Sequence, residues 1–246
     1  MADYLVFHLY GPMAAWGDVA VGEYRPSFAH PSKSAIIGLL AAALGIRRDE
    51  DAQQKSFAEA CSYAVRVDAM GTLLRDYHTI QVPSSGTVRN PKTFHTRKAE
   101  LADSDLNTIL SSRDYRCDAV YTVAVTLRDD APCSVKDLAE ALRKPVFTLY
   151  LGRKSCPLAF PLSPLVITAE SVKETMAKAH VPEELHDLIH EKPSLVYWEG
   201  EQGGYEREQV ITRRDEPLSR KRWQFSERKE NFATVLREEE TPCTSA

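Results

Sequence analysis

Cysteines are few in this chain, and no two of them are spaced as a motif. The 246 residues include five cysteines, at positions 61, 117, 133, 156 and 243, and no pair is arranged as C-x-x-C. An odd number without such a pair is not the pattern of a disulfide framework or of a zinc site. Free thiols are typical of a reducing compartment, so we expect a cytoplasmic protein without a metal or other cofactor.

Long apolar segments are also missing. The longest apolar run, AIIGLLAAALGI, occupies only 35–46, whereas about 20 apolar residues are needed for a helix to cross a bilayer. The first residues, MADYLVFHLYGP, contain Asp3 where a secretory signal would carry basic residues. We therefore expect no signal peptide and no membrane partner.

Acidic residues are absent from two stretches of a chain that is otherwise rich in them. The sequence has 35 Asp and Glu against 31 Lys and Arg, a net charge of −4, which argues against a protein that coats nucleic acid indiscriminately. No acid occurs between Asp76 and Glu100, or between Glu140 and Glu170. Any basic surface must therefore be local, and we expect it in these two stretches.

The order of predicted strands and helices indicates an α+β fold for the first 160 residues. Alternating or apolar runs rich in β-branched and aromatic residues predict strands, and capped apolar stripes predict helices. The order βαββαβ is that of the ferredoxin-like fold, which RNA-recognition domains also use. The predicted elements are strands at 4–10, 62–69, 119–127 and 145–152, with helices at 31–46 and 134–144.

The segment 70–118, between the second and third of these strands, is much longer than an ordinary hairpin loop. Between Asp76 and Glu100 it is basic and free of acids. We therefore expect a functional projection there rather than an idle connection.

The remaining sequence predicts a second, smaller unit. A strand pattern at 164–171 and a helical stretch at 170–190 are followed by four short strand patterns joined by turns that bear Gly or Pro. We predict a mainly β C-terminal domain at 161–237, following a first domain at 1–160, and a disordered acidic tail at 238–246.

The stretch GPMAAWG at 11–17 has two interpretations. It has a glycine at each end, as some phosphate loops do, but no Lys-Ser or Lys-Thr follows, so it is not a Walker loop. Met13 and Trp16 either close the core as a lid, or Trp16 offers its ring to an RNA base. The sequence leaves both interpretations open.

The stretch HPSKSA at 30–35 lies where the apolar helix is predicted to begin, and Ser32 is a candidate N-cap. Free N–H groups at a helix start, together with Ser34 and the cation Lys33, suit a phosphate. Capping alone does not explain Lys33, because the helix dipole disfavours a cation in the first turn. We therefore expect an anion site here.

The acid-free part of the projection carries groups that could cleave RNA without a metal. Arg75, Tyr77, His78, Lys92 and His95 lie in it or at its edge. Such side chains can serve as base, acid and cation in RNA cleavage. The alternative is that they only bind RNA, since the sequence does not show that they converge.

A second histidine pair suggests a metal only weakly. His186 and His190 have an i, i+4 spacing in a predicted helix. No catalytic Glu and no third ligand accompany them, so we expect no metal site.

The segment TLYLGRKSCPLAFPLSP at 148–164 is the second stretch without acids. Its predicted strand passes through Tyr150 to Gly152, which can let a backbone approach a ligand closely. Arg153 can bind a phosphate through two donors, and Lys154 adds a second charge. A plain basic turn is the alternative, and the other acid-free stretches weaken it.

Several of these motifs, in this order, resemble one known family. They are similar to the fifth-family CRISPR-associated subunits of type I-E Cascade complexes, from residue 4 to about 160 and again at 213–225. The segments that carry the resemblance are YLVFHLYGPMAAWG, PSKSAIIGLLAAALGI, LRDYHT, DYRCDAVYTVAV, KPVFTLYLGRKSCPL, and RDEP followed by QF.

The resemblance implies a fold and a function. Such proteins have a ferredoxin-like palm and a thumb-like hairpin, here at about 78–114, and they hold the repeat-derived 5′ handle of the CRISPR RNA (crRNA). They contact the Cascade backbone subunit and large subunit, and they reach target DNA indirectly at the guide–target duplex. By matching motif, the RNA-binding candidates are Met13, Trp16, Lys33, Tyr77, His78, Arg113, Tyr150, Arg153 and Lys154.

The resemblance also bears on catalysis, because type I-E members do not cut RNA. We therefore expect a non-catalytic RNA-binding subunit. Two alternatives remain: a metal-independent endoribonuclease that matures precursor crRNA, and an assembly module whose basic loops bind protein.

Overall fold

A computed structural model describes residues 1–87, 90–190 and 194–235 of the chain, which is a mixed α+β protein built on mainly antiparallel sheets. The tail predicted at 238–246 lies outside these residues. The helices are α1 (Lys33–Leu44), α2 (Asp51–Ala60), α3 (Arg97–Leu101), α4 (Val135–Arg143) and α5 (Val172–Lys178). The strands are β1 (Ala2–Tyr10), β2 (Met13–Ala14), β3 (Tyr24–Arg25), β4 (Cys61–Ala69), β5 (Thr72–Pro83), β6 (Gly86–Thr87), β7 (Asn90–Pro91), β8 (Leu106–Cys117), β9 (Val120–Leu127), β10 (Leu165–Ala169), β11 (Ser194–Trp198), β12 (Gln209–Ser219) and β13 (Gln224–Val235).

The largest sheet of the described residues has seven antiparallel strands in the order β10-β1-β9-β4-β11-β13-β12. Successive side chains of a strand face opposite sides of the sheet. Phe7 and Val123 face the layer of α1, α2 and α4, whereas Val6 and Ala124 face α5. Because both faces are covered, β1 and β9 are apolar along most of their length.

Helix α1 begins and ends where the sequence predicts. The Ser32 hydroxyl accepts a hydrogen bond from the backbone N–H of Ala35 at 3.2 Å, and Gly45 ends the helix with φ +82°. The capping box predicted for α4 is also present, with Ser134 and Asp137 bonded reciprocally. These caps are local, so a short window of sequence specifies them.

Helix α2 is not predicted by the sequence. Its residues, DAQQKSFAEA, are largely polar, and Glu50 provides no side-chain cap. Only a few residues, including Phe57 and Ala58, are buried. Its helical state therefore depends on packing rather than on a local signal.

The strand predicted at 145–152 is wrong. The backbone N–H groups of Val146 and Phe147 donate to the carbonyls of Ala43 and Ala42, at 3.0 and 3.1 Å, so this segment completes the end of α1. The strand beside β1 is β10 instead. An extended apolar run satisfies its backbone groups equally well at a helix end and at a sheet edge, and only tertiary contacts decide which.

Residues 70–118 contain a long hairpin formed by β5 and β8. The two strands pair antiparallel from Thr72 opposite Cys117 to Pro83 opposite Leu106. The short strands β2 and β3 also pair with β8, near the end of the hairpin that joins the main sheet. We call this end the base of the hairpin.

The C-terminal strands extend the main sheet. β11 pairs with β4, and β13 lies between β11 and β12. Where the sequence predicts four short strands, β12 and β13 are two long ones, of 11 and 12 residues, after β11. Strands from before and after residue 160 belong to the same sheet. The division into two domains at this residue stays a prediction.

The helical stretch predicted at 170–190 is α5 followed by a 3-10 helix, Glu183–Leu188. His186 Nε2 bonds the Val181 carbonyl at 2.9 Å, and His190 lies beyond the 3-10 helix, so the two are not on one α-helical face. In the described ranges, no three His, Cys, Asp or Glu side chains are grouped so that they could hold a metal ion. None of the helices there is long and apolar enough to cross a membrane.

Candidate nucleic-acid interface

The base of the hairpin is organised around Asp114, which is only 2% exposed. Arg75 Nε donates to Asp114 Oδ1 at 2.8 Å, and the Tyr24 hydroxyl donates to the other carboxylate oxygen. The hydrogen bond from Arg75 is the main cause that lowers the pKa of Asp114. The Arg75 side chain nevertheless stays 56% exposed, so a fixed guanidinium remains open to solvent at this point.

Arg153 holds the predicted basic loop against the base of the hairpin. Its guanidinium lies 4.6 Å from the ring centroid of Tyr115. It donates to the backbone carbonyls of Asp114 and Arg25, at 3.3 and 3.4 Å. Because these acceptors are neutral, the hydrogen bonds orient the charge of Arg153 without cancelling it. Lys154 beside it is exposed.

Gly152 is required by a close approach within the protein, whereas the approach of a ligand backbone at this position stays a prediction. Its φ is +83°, and a Cβ at this position would overlap the carbonyl oxygen of Ala15. The Ala15 N–H also donates to the Leu151 carbonyl at 3.0 Å. A bridge between Tyr150 and Pro157 closes the same loop. The loop is therefore fastened to the segment that follows β2.

One face of the hairpin carries Arg75 and Tyr77. They lie opposite Asp114 and Ser112 of β8, so strand alternation places all four side chains on the same face. Tyr77 is 63% exposed. A guanidinium and an aromatic ring are thus available two residues apart on one strand.

The other face of the hairpin carries His78 and Arg113. Asp76 lies opposite Arg113, and His78 Nδ1 is 2.6 Å from Asp76 Oδ2. Because Tyr77 and His78 are consecutive in a strand, they project to opposite faces. The hairpin therefore does not bring the two into one reacting site.

Trp16 belongs to the core, so the prediction that it stacks on a base is wrong. It is 1% exposed and meets the ring of Tyr121 edge to face, with the centroids 5.6 Å apart. Met13 lies opposite Cys117 and is half-buried against the core. The alternative, in which this segment closes the core as a lid, is confirmed for Trp16.

Lys33 is neutralised inside the protein, so the anion site predicted at the start of α1 is wrong. Its Nζ lies 2.7 Å from Glu216 Oε2 and 3.3 Å from Glu199 Oε1. Its backbone N–H donates to Asp215 Oδ2 at 2.8 Å. Carboxylates from the C-terminal strands thus occupy the place that a phosphate would take.

The serines beside Lys33 are also used within the protein. Ser32 is the cap of α1, and its hydroxyl lies 3.0 Å from that of Ser34. The carbonyl of Ser34 accepts a hydrogen bond from Arg220. The acids of the segment RRDEP, at 213–217, were the available signal, but sequence alone does not show that this strand crosses the helix start.

Three residues that build the base of the hairpin, Tyr24, Asp114 and Tyr115, are not among the candidates that the sequence indicates. The signal was present in the segment RDYR, where one acid lies between two arginines. An acid so placed in a strand is a candidate for pairing with a cation on the neighbouring strand. Here that cation is Arg75.

Known structures show the same fold among CRISPR-associated proteins. A chain from a structure described as "CRISPR RNA-guided surveillance complex" is 27% identical, with a TM-score of 0.65 over 95% of this chain and 90% of that chain. A structure described as "Crystal structure of Cas protein" is 24% identical, with a TM-score of 0.57 over 95% of each chain.

Sequence comparisons identify the family. The chain is 37% identical over 170 residues to "CRISPR system Cascade subunit CasD" of Escherichia coli (strain K12). This alignment covers 66% of this chain and 70% of that relative. A family model described as "CRISPR-associated protein (Cas_Cas5)" matches residues 4–230. The chain therefore belongs to this family of CRISPR-associated proteins, and the resemblance carried by the sequence motifs is confirmed.

Proposed function

We propose that this chain is a guide-RNA-binding subunit of a type I-E Cascade complex and that it holds the 5′ handle of the crRNA. Family membership and the relative named as a Cascade subunit support the complex. The observation that carries the RNA-binding role is the meeting of two basic elements. The loop of Arg153 and Lys154 lies against the base of the hairpin, on which Arg75 is fixed but exposed.

The strand order supports a ferredoxin-like palm. In the sheet, β10, β1, β9 and β4 are neighbours in that order, which corresponds to strands four, one, three and two of a βαββαβ unit. Helices α1 and α4 supply its two helices. The β5–β8 hairpin leaves this unit between its second and third strands, and we propose that it is the thumb.

The handle would lie across the base of the hairpin. Arg153 keeps its charge there because its acceptors are neutral carbonyls, and a charge-assisted bond to phosphate is the stronger kind. Phosphate contacts would position the strand, and the exposed ring of Tyr77 would stack on a base. The residues proposed to contact RNA are Met13, Arg75, Tyr77, His78, Arg113, Tyr150, Arg153 and Lys154.

We propose that the chain binds RNA without cutting it. Metal-independent cleavage needs an acid and a base at the same phosphate, and the consecutive residues Tyr77 and His78 face opposite sides of a strand. An endoribonuclease is therefore the weaker candidate. Contacts with the Cascade backbone and large subunits, and an indirect approach to target DNA at the guide–target duplex, belong to the same proposal.

The test uses the full chain, a labelled repeat RNA and a buffer with EDTA, analysed in parallel on native and denaturing gels. Binding of intact RNA is the expected result. A specific cut that His78→Ala or His95→Ala abolishes, without loss of binding, would instead establish the nuclease. Absence of any shift specific to the handle, while the chain still assembles with its partner subunits, would establish a protein-binding module.

A further inference from the structure

A turn distant in sequence lies on helix α1 close to the proposed interface. Residues 219–223, SRKRW, connect β12 to β13. The Arg220 guanidinium donates to the carbonyl of Ser34 and occupies the space that a Cβ at Gly38 would need. Because Gly38 has no side chain, the guanidinium can pack directly against the surface of the helix.

The turn is fastened by the first residue of α2. The carboxylate of Asp51 accepts hydrogen bonds from the Ser219 hydroxyl at 3.0 Å and from the Lys221 backbone N–H at 3.4 Å. The fastened turn presents Trp223, which is 58% exposed and has a φ of +58°. An exposed tryptophan in a backbone region that favours glycine is a local cost of the kind found at functional sites.

Two guanidinium groups lie at this turn, because Arg48 lies over the ring of Trp223 and Arg220 precedes Trp223 by three residues. Burial, and next the charge of Arg48, lower the pKa of Arg220 to about 10. Arg66 and Arg228, which are also largely buried, each lie 2.6 Å from an aspartate oxygen. In the described part of the chain, neither Arg48 nor Arg220 forms such an ion pair. Among those residues, Arg220 is therefore a partly buried cation held by a neutral carbonyl rather than by a carboxylate.

Arg48 also joins the guanidinium pair to the indole. Its Cζ lies 4.7 Å from the ring centroid of Trp223. The segment that leads into the Arg153 loop bonds the end of α1 through the backbone N–H groups of Val146 and Phe147, and Arg220 bonds the start of the same helix at Ser34. The loop and the turn therefore lie along one helix. A strand that leaves the base of the hairpin could therefore continue along α1 to Trp223.

We propose that Arg48, Arg220 and Trp223 form a subsite for single-stranded RNA, in which the two guanidinium groups hold one phosphate and the indole stacks on an adjacent base. The subsite rests on the proposed function, because the crRNA handle is the strand that would fill it. The subsite adds a second RNA contact beyond the hairpin and defines the path of the strand along α1.

The chemistry favours RNA over an acidic protein segment. The donors of two guanidinium groups match a phosphate, and a nucleotide supplies a flat base beside that phosphate. A carboxylate would compensate the charge but leave the exposed face of Trp223 uncovered. Within the protein the indole meets only the ring of Phe225 among the described aromatic contacts, at 5.9 Å between centroids, and a nucleotide offers both a phosphate for the cations and a base for the open face of the indole.

Trp223 provides its own probe. The chain has three tryptophans, and Trp16 and Trp198 are only 1% and 3% exposed. Acrylamide should therefore quench mainly Trp223. Titration of the full chain with single-stranded handle RNA should change the fluorescence and protect it from acrylamide, and Trp223→Phe should remove this response. Inorganic polyphosphate, which has charge but no bases, should compete for the site without giving the protection.

Affinity measurements test the same residues. Trp223→Ala and Arg48→Ala should each weaken handle binding by about tenfold, and both side chains are exposed, so folding should be kept. Arg47→Ala is the matched control. Arg47 is adjacent in sequence, but its guanidinium faces Asp49 at 3.3 Å, and it is Arg48 that lies over Trp223, so loss of Arg47 should change affinity by about twofold or less.

The outcomes separate the two proposals. Handle binding that leaves Trp223 unprotected, or equal losses in Arg47→Ala and Arg48→Ala, would overturn the subsite and leave the proposed function intact. Protection by partner subunits in the absence of RNA would overturn the subsite in favour of a protein interface. Failure of the wild-type chain to bind the handle would refute the proposed function and the subsite together.

Discussion

Lys33 Nζ and Glu216 Oε2 lie 2.7 Å apart and join the start of α1 to β12. The Lys33 side chain is 8% exposed and also contacts Glu199 at 3.3 Å. Burial raises the pKa of Glu199, and the charge of Lys33 opposes that rise. The cation that a helix dipole disfavours is thus retained because it compensates carboxylates from another part of the sheet.

We expect Lys33→Met to destabilise the protein by about 3 kcal/mol, since it leaves buried carboxylates without their partner. RNA affinity of the folded variant should stay unchanged. Urea unfolding measures the first effect, and a gel shift measures the second. Lys136→Met, at an exposed position of α4, is the control and should cost less than about 0.5 kcal/mol. Weaker RNA binding of Lys33→Met at unchanged stability would instead support an anion site at Lys33.

The parts of the fold that depend on local signals are predictable from the sequence. Ser32 and Gly45 delimit α1, and Ser134 with Asp137 begins α4, because caps are formed by residues a few positions apart. The segment 145–152 is a case in which local signals do not suffice to predict the structure. Whether its backbone bonds a sheet edge or the end of α1 is decided by contacts with a helix about a hundred residues earlier in the chain.

The same limit applies to the candidate site. Arg153 and Lys154 are found by the absence of acids around them, which is a property of one segment. Lys33 has the same local character, but its partners Glu199 and Glu216 are remote in sequence. A cation is therefore recognisable from sequence, whereas its neutralisation is not. Trp16 was ambiguous for a related reason, since only the tertiary structure shows whether a ring is covered.

The exposed Lys154 should contact RNA without supporting the fold. We expect Lys154→Ala to weaken handle binding and to reduce the slope of log affinity against log salt by about 1, because one phosphate contact is lost. Binding measured at several salt concentrations checks both effects. Lys136→Ala removes an equal charge from α4 and should leave the slope unchanged.

Arg153→Ala should weaken binding in the same way and should also lower stability, because the guanidinium packs on Tyr115 and bonds two carbonyls. A loss of about 1 kcal/mol in the free energy of unfolding is expected. If the double variant Arg153→Ala, Lys154→Ala keeps the wild-type affinity and salt slope, the acid-free loop does not face RNA.

The Asp114 cluster should make stability depend on pH. Its lowered pKa means that the ionised carboxylate contributes stability above its ordinary pKa of 3.8, and that this contribution is lost as the pH falls below that value towards the pKa in the folded state. Asp114→Asn should therefore cost about 1.5 kcal/mol at pH 7, with a difference from wild type that shrinks below about pH 4. Urea unfolding over this pH range gives the difference directly.

The control for that series is Ser112→Ala, on the same face of β8. It removes no charge, so its effect on stability should not vary with pH. A constant difference between Asp114→Asn and wild type down to pH 3 would mean that the Arg75 contact does not favour the ionised carboxylate.

Alanine substitutions at Gly152 and Gly200 should distinguish the cost of an unfavourable backbone conformation from the cost of a steric clash. Both have positive φ, +83° and +72°, but a Cβ at Gly152 would overlap the Ala15 carbonyl oxygen, whereas nothing lies within 4 Å at Gly200. Gly200→Ala should cost about 1 kcal/mol, from the backbone conformation alone. Gly152→Ala should cost about 3 kcal/mol, because the loop must also move away from Ala15. Urea unfolding of both variants measures the difference. Since the displaced loop carries Arg153, handle binding should fall in Gly152→Ala but not in Gly200→Ala. Equal RNA affinity of the two variants would show that the contact of this loop with Ala15 does not matter to the interface.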